Sequence, residues 1–283
     1  MSKLAQRLLI FFIGIPAVIG LVLIKFCYHL PLNLAIIGGS IIASFEMYKM
    51  FSIKTPLLPK ALLVILTVVM TIGAYLFSVF NINQDYITWL FIFCLMILMA
   101  AECFGHKTYE DSIVRLSASS YIICYCGYFF TFIQRIGTFE NSTFFLSLFF
   151  FTVFINDSLA WLFGILLGKN NRGIFAASPN KSVMGCIGGL IGAVASCVLA
   201  KVIWPDFLPG NFVKPVLLGL FCSIGAVIGD LIESVYKRSS DVKDSGSIVP
   251  GRGGALDSID SLLFTAPIFY ILVFFMYNPV TAG

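Results

Sequence analysis

The sequence predicts an all-α, polytopic integral membrane protein with about nine transmembrane helices, and three features predict it. Hydrophobic residues make up 59% of the 283 and charged residues only 11%, against roughly 25% charged in soluble domains. So few charges cannot cover a water-facing surface of ordinary size. The apolar residues also fall into separate runs, most of them near the ~20 residues a helix needs to cross the hydrocarbon core. Finally, the basic residues gather in alternate connections between the runs. The net charge of +4 does not suggest a nucleic-acid binder, whose footprint is a clustered basic face.

In chain order the runs cover approximately 7–25, 31–51, 61–80, 87–101, 113–133, 144–167, 183–202, 215–235 and 262–277. The first follows Lys3 and Arg7 and imitates a signal peptide. It is long enough to span, however, and no small-x-small cleavage site follows it, so it reads as a retained helix. The fourth run is short and the fifth is the most polar. No soluble domain fits between any two runs, and no internal repeat is apparent. The chain divides into N-terminal scaffold helices, 1–112, and a C-terminal catalytic region, 113–283. Of the 18 Lys and Arg, alternation of the nine runs puts 14 on one side and leaves Lys25, Arg135, Lys201 and Lys214 on the other. The positive-inside rule then places the N-terminus and the basic loops in the cytoplasm. The eight Cys lie mostly in apolar runs, and the CxC at Cys124 and Cys126 has no zinc spacing. They read as small apolar fillers. His106, beside Glu102, Lys107, Glu110 and Asp111, reads as part of a solvated loop.

Two predicted cytoplasmic loops carry most of the chemistry, 169–182 and 236–261. Acids inside a membrane helix cost about 2.5–3.5 kcal/mol each at its centre and are usually functional or paired. Asp157 lies near the middle of the sixth run. Asp230, Glu233, Ser234 and Lys237 stand at i, i+3, i+4 and i+7, which puts them on one helical face. In the sixth run Asp157, Ala160, Trp161, Gly164 and Gly168 follow the same rhythm, and the glycines allow another helix to approach closely. Beyond the eighth run come Arg238, Lys243, Asp244, Arg252, Gly253, Gly254, Asp257 and Asp260. Carboxylates beside Ser hydroxyls are hard ligands suited to Mg²⁺, Lys and Arg suit phosphate oxygens, and glycines admit backbone to a ligand. These are the parts for phosphoryl or nucleotidyl transfer. A cation-coupled transporter is the rival from another class, since intramembrane acids also mark ion pathways. Clustering of the acids at one membrane face and the lack of repeats favour an interfacial enzyme.

The stretch SVYKRSSDVKDSGSIVPGRGGALDSID, from Ser234 to Asp260, resembles the signature of phosphatidate cytidylyltransferases, the CDP-diacylglycerol synthases. Together with Gly229-Asp230-Leu231-Ile232-Glu233 it forms a signature region at 229–261. Asn156-Asp157-Ser158 through Gly164 and Ser178-Pro179-Asn180-Lys181-Ser182 resemble further family motifs, and Phe45-Glu46 more weakly resembles an acidic position in the second span. The sequence departs from the family pattern at Arg252 (His is usual), Ser258 (Arg), Val183-Met184 (Trp-Glu) and Tyr236 (aliphatic).

The resemblance implies transfer of a cytidylyl group from CTP to phosphatidate in a multi-pass cytoplasmic-membrane enzyme active on the cytoplasmic side, with the lipid bilayer and a second copy of the chain as partners. It also implies a Mg²⁺-dependent site, with a second, monovalent cation such as K⁺ beside it. Asp244 and Asp257 are the leading metal-ligand candidates, followed by Asp260, Asp230 and Glu233. Lys237, Arg238, Lys243 and Arg252 are expected to hold phosphates, with Lys181 and Ser182 helping from the neighbouring loop. Ser234, Gly253, Gly254 and Asp157 complete the expected substrate contacts. A CTP-dependent lipid kinase or other lipid phosphotransferase is the alternative within enzymes.

Overall fold

The computed structural model describes residues 14–105, 108–249 and 253–279. Lys3, Arg7, His106, Lys107 and Arg252 lie outside them. Among the described residues the chain is helical throughout, with turns and two isolated bridges between helices. The helices are α1 (Ile15–Leu23), α2 (Phe26–Phe51), α3 (Lys60–Val79), α4 (Tyr86–Gly105), α5 (Ser112–Ile136), α6 (Ser142–Leu166), α7 (Val183–Ile203), α8 (Val213–Ser239) and α9 (Leu256–Tyr277). Eight of them, α2 to α9, are long and apolar enough to cross a membrane. The first predicted span is described only as far as α1.

Of the boundaries that differ from the sequence expectation, three have a clear local reason. The short fourth run extends to 20 residues in α4 because Glu102 at its end is neutralised. Arg115 donates to both its oxygens at 2.8 Å, and Ser112 Oγ donates at 2.6 Å. The polar fifth run spans as α5 through a π-helical turn at Cys124–Tyr128. The Cys126 carbonyl there accepts from Ser40 of α2 at 2.6 Å, so its polarity is satisfied by a neighbouring helix. The last helix begins at Leu256, six residues earlier than the apolar run. Asp257 lies in its first turn, where a negative charge favours the helix dipole.

The C-terminal half packs through small residues. A β-carbon on Gly189 of α7 would come within 2.9 Å of the Asn156 side chain of α6. On α8, one at Gly229 would meet the Asp260 carbonyl of α9 at 2.6 Å. Such close approach is how helices associate where burial of apolar surface gives no driving force. It brings α6, α7, α8 and α9 together with their polar residues facing inward. Large aromatic side chains pack α5 and α6 against α9: Phe132 and Phe139 of the α5 region pack on Tyr270 of α9, and Phe149 of α6 packs on Phe269. All eight cysteines are free thiols, half of them buried, consistent with the filler role.

Candidate active site

The site is built where α8 ends and α9 begins. The face read from spacing on α8 exists, and each member has a partner or place. Lys237 Nζ bridges Glu233 on its own helix and Asp257 Oδ1 on α9, the latter at 2.6 Å. Glu233 is buried, with its carboxyl against that of Asp257. Ser234 is buried beside it. One turn earlier, Asp230 pairs with Lys181 at 3.0 Å, and Lys181 also donates to the Val227 carbonyl at 3.3 Å. The loop before α7 is thus tied to α8 by the residue that the sequence singled out.

Asp257 is the hub. Its side chain is only 5% exposed. While Oδ1 takes Lys237, Oδ2 accepts from Ser245 N at 2.9 Å, Ser245 Oγ at 2.9 Å and Gly254 N at 2.7 Å. The loop between α8 and α9 is closed on itself by mutual backbone bonds of Val249 and Gly253. Gly253 has φ +110, and a β-carbon there would lie 2.6 Å from Asp257 Oδ2 and 3.0 Å from Asp244 Cβ. Only glycine lets the chain take this conformation, and its missing side chain is what brings Asp244 and Asp257 to one spot. Asp244 is exposed, and the Asp257 side chain is largely buried.

The remaining candidates take distinct places. Asn156 donates to Asp157 Oδ1 at 3.1 Å and accepts from Ser223 of α8 at 2.7 Å, so Asp157 is aimed by a buried amide shared between α6 and α8. Asp260 is buried at the start of α9, and its Oδ1 accepts from Ser261 N at 2.6 Å. Ser182 is buried and caps α7 by accepting from Gly185 N at 3.1 Å. Its hydroxyl fixes the start of α7 and thereby the neighbouring Lys181. Lys243 and Arg238 are exposed and line an open pocket of about 360 Å³ with Asp241 and Val242. Asp241 pairs with Lys54 of the α2–α3 connection. The sequence reading expects Lys237 at phosphate; its ammonium pairs here with two carboxylates, and among the described residues Arg238 at the end of α8 and Lys243 of the loop are exposed cations.

Sequence reasoning gave Glu46 little weight. It is 6% exposed on α2. It accepts from Ala255 N at 3.0 Å, Leu256 N at 2.8 Å and Ser245 Oγ at 3.2 Å. A lone acid in an otherwise apolar span was the available signal.

The donor set suits Mg²⁺. Sites that work on nucleotides use one or two protein carboxylates and leave the other positions to water and phosphate oxygens. Asp244 and Asp257 around Gly253 meet that demand. Among the described residues no three or more His, Cys, Asp or Glu side chains form a closed cage.

Comparison with known proteins identifies the family. Residues 5–276 match the model of the cytidylyltransferase family. The chain is 30% identical over 275 residues to the phosphatidate cytidylyltransferase of Bacillus subtilis, covering 96% of this chain and 98% of that protein. A 124-residue stretch is 42% identical to the phosphatidate cytidylyltransferase of Helicobacter pylori, 44% of this chain and 45% of that one. A 118-residue stretch is 38% identical to the uncharacterized protein YnbB of Escherichia coli, 42% of this chain and 38% of that one. With a family match that runs from the first span to the last helix, the chain belongs to the cytidylyltransferase family.

Proposed function

We propose that the protein joins CTP and phosphatidate to give CDP-diacylglycerol and diphosphate at the cytoplasmic face of the membrane. The observation that carries this reading is the gathering of Asp244, Asp257 and Lys237 at Gly253, inside a chain matching a phosphatidate cytidylyltransferase nearly end to end. An ionised phosphate oxygen of phosphatidate attacks the α-phosphorus of CTP. The bond from that phosphorus to the bridging oxygen breaks, and diphosphate leaves with the electron pair. The nucleophile is already ionised near pH 7, so the chain has no proton to remove.

The obstacle is repulsion between two polyanions. A unit pair 4 Å apart costs about 4 kcal/mol at an effective dielectric near 20. Lys243 and Arg238, exposed beside the loop, are placed to take phosphate oxygens. Asp244 and Asp257 would hold Mg²⁺, which when bound neutralises phosphate charge and polarises the phosphorus under attack. Lys237 holds Asp257 in place, and Lys181 holds Asp230. The cytoplasmic assignment rests on the charge asymmetry of the loops, and Lys181, Lys237 and Lys243 all lie on the basic side.

The test is purified protein in vesicles containing phosphatidate, with CTP labelled at the α- or the γ-phosphate. Label from the α-phosphate is expected in the lipid and label from the γ-phosphate in diphosphate. Lipid labelled only from the γ-position would mean phosphoryl transfer and overturn the reading.

A further inference from the structure

We infer that Glu46 is a positioning residue for the proposed transfer: through the Ser245 hydroxyl it holds the Asp257 loop closed and lets Asp257 give up one donor when a cation arrives. The inference rests on the function proposed above only where turnover is concerned. Its structural half stands on the geometry.

Glu46 is the N-terminal half's buried link to the loop. Ala255, the residue that opens α9, supplies no side-chain cap. Glu46, some 200 residues earlier in sequence, accepts from Ala255 N and Leu256 N instead and so satisfies two of the donors that a helix leaves open at its N-terminus. The backbone is shaped around this carboxylate. A β-carbon on Gly246 would lie 2.8 Å from Glu46 Cδ, and one on Gly254 would lie 2.7 Å from Gly246 N while colliding with Ser245 Oγ. The two glycines close on Glu46 from both sides of the loop.

Ser245 couples the two acids. Its hydroxyl is 2.9 Å from Asp257 Oδ2 and 3.2 Å from Glu46 Oε2. A hydroxyl has one proton to donate, so only one carboxylate receives it at a time. Asp257 Oδ2 accepts three hydrogen bonds, from Ser245 N, Ser245 Oγ and Gly254 N, one more than the two lone pairs of a single oxygen. To take a cation on Oδ2 it must release a donor. The two backbone N–H groups are fixed by their own elements. The Ser245 hydroxyl can turn, and Glu46 Oε2 is the acceptor waiting for it. No buried donor is stranded in the exchange.

Hydrogen exchange of the full-length protein, without cation or substrate, tests the structural half. Glu46→Gln puts an N–H₂ opposite Ala255 N or the Ser245 hydroxyl, so amides at 245–257 are expected to exchange about tenfold faster or more, with α6 and α7 unchanged. In the labelled-CTP assay the same variant should lose about tenfold or more in kcat while KM for CTP stays within about threefold. Native exchange at 245–257, or loss of protection spread evenly over the helices, overturns the inference. Should Glu46→Gln not fold, Ser245→Ala is expected to loosen the same segment alone, and native protection there would count equally against it. If the native chain itself transfers no cytidylyl group, the proposed function fails while the exchange data still judge Glu46.

Discussion

Replacing Asp257 by Asn keeps the shape of the side chain and removes its charge. The best-placed amide keeps its oxygen where Oδ2 now lies, preserving the bonds from Ser245 N, Ser245 Oγ and Gly254 N. Its N–H₂ then faces the Lys237 ammonium, which now donates to Oδ1 at 2.6 Å. The opposite orientation sets three donors against N–H₂ and is worse. One charge-assisted hydrogen bond is lost, about 1.5–3 kcal/mol, and the partners are buried enough, at 17% and 5% side-chain exposure, for most of that to be felt. Lys237 retains Glu233, so the helix junction should hold with a modestly lowered unfolding temperature in detergent. Turnover should suffer far more, because a charge positioned for the transition state is typically worth about 10²–10³ in rate. Labelled-CTP transfer at saturating substrate, beside thermal unfolding of the same preparation, measures both. An Asn variant turning over within about threefold of the native protein would remove Asp257 from the chemistry and with it the reason for the surrounding loop geometry.

Two other substitutions separate the site from its scaffold. Gly254→Ala drives a β-carbon into Ser245 Oγ and Glu46; such overpacking costs about 1–3 kcal/mol, and kcat is expected to fall sharply because the loop must open, as the transfer assay would show. Arg115→Leu strips the buried Glu102 of its guanidinium, whose partners are 10% and 4% exposed. Breaking such a pair costs about 3–5 kcal/mol, so the unfolding temperature should drop while turnover per folded molecule stays near native.

The helices were legible in sequence because a membrane imposes one length and one composition on every span, and eight of the nine runs have a matching full-length helix. The α8 face was legible because Asp230, Glu233, Ser234 and Lys237 are related by helix spacing alone. Partners were not. That Lys237 serves Asp257, and that Asp244 meets Asp257 across Gly253, depends on a loop folding back on itself. Local pattern carries no information about it. Glu46 is the extreme case: its contacts lie 199 to 210 residues away, and one acid in α2 resembles any buried polar residue until α9 is placed against it. Ser182 has a local role that spacing alone does not show: its hydroxyl accepts from Gly185 N at the start of α7, as an N-cap serine commonly does, while its neighbour Lys181 reaches Asp230 of α8.

The charge balance of the site leads to a dependence on divalent cation. Lys237 is spent on Glu233 and Asp257, and Lys181 on Asp230. Among the described residues of this loop and the end of α8, Lys243 and Arg238 remain for a triphosphate and a lipid phosphate, and even with Arg252 of the same loop added to them they cannot offset the several negative charges those groups carry. The same site holds Asp244, Asp157 and Asp260 as further carboxylates. Bringing both substrates there without added cations would set like charges a few ångströms apart, at about 4 kcal/mol for each unit pair. On the proposed reaction, chelation of divalent ions should therefore abolish transfer, and Mg²⁺ should restore it with saturation. Asp244→Asn should raise the Mg²⁺ concentration needed for half-maximal rate. It should leave the unfolding temperature near native, because Asp244 is exposed and substitutions at such sites usually shift stability by no more than about 0.5 kcal/mol. Undiminished transfer in the presence of chelator would show that the loop's own basic residues suffice, and the roles given to Asp244 and Asp257 would have to be abandoned together.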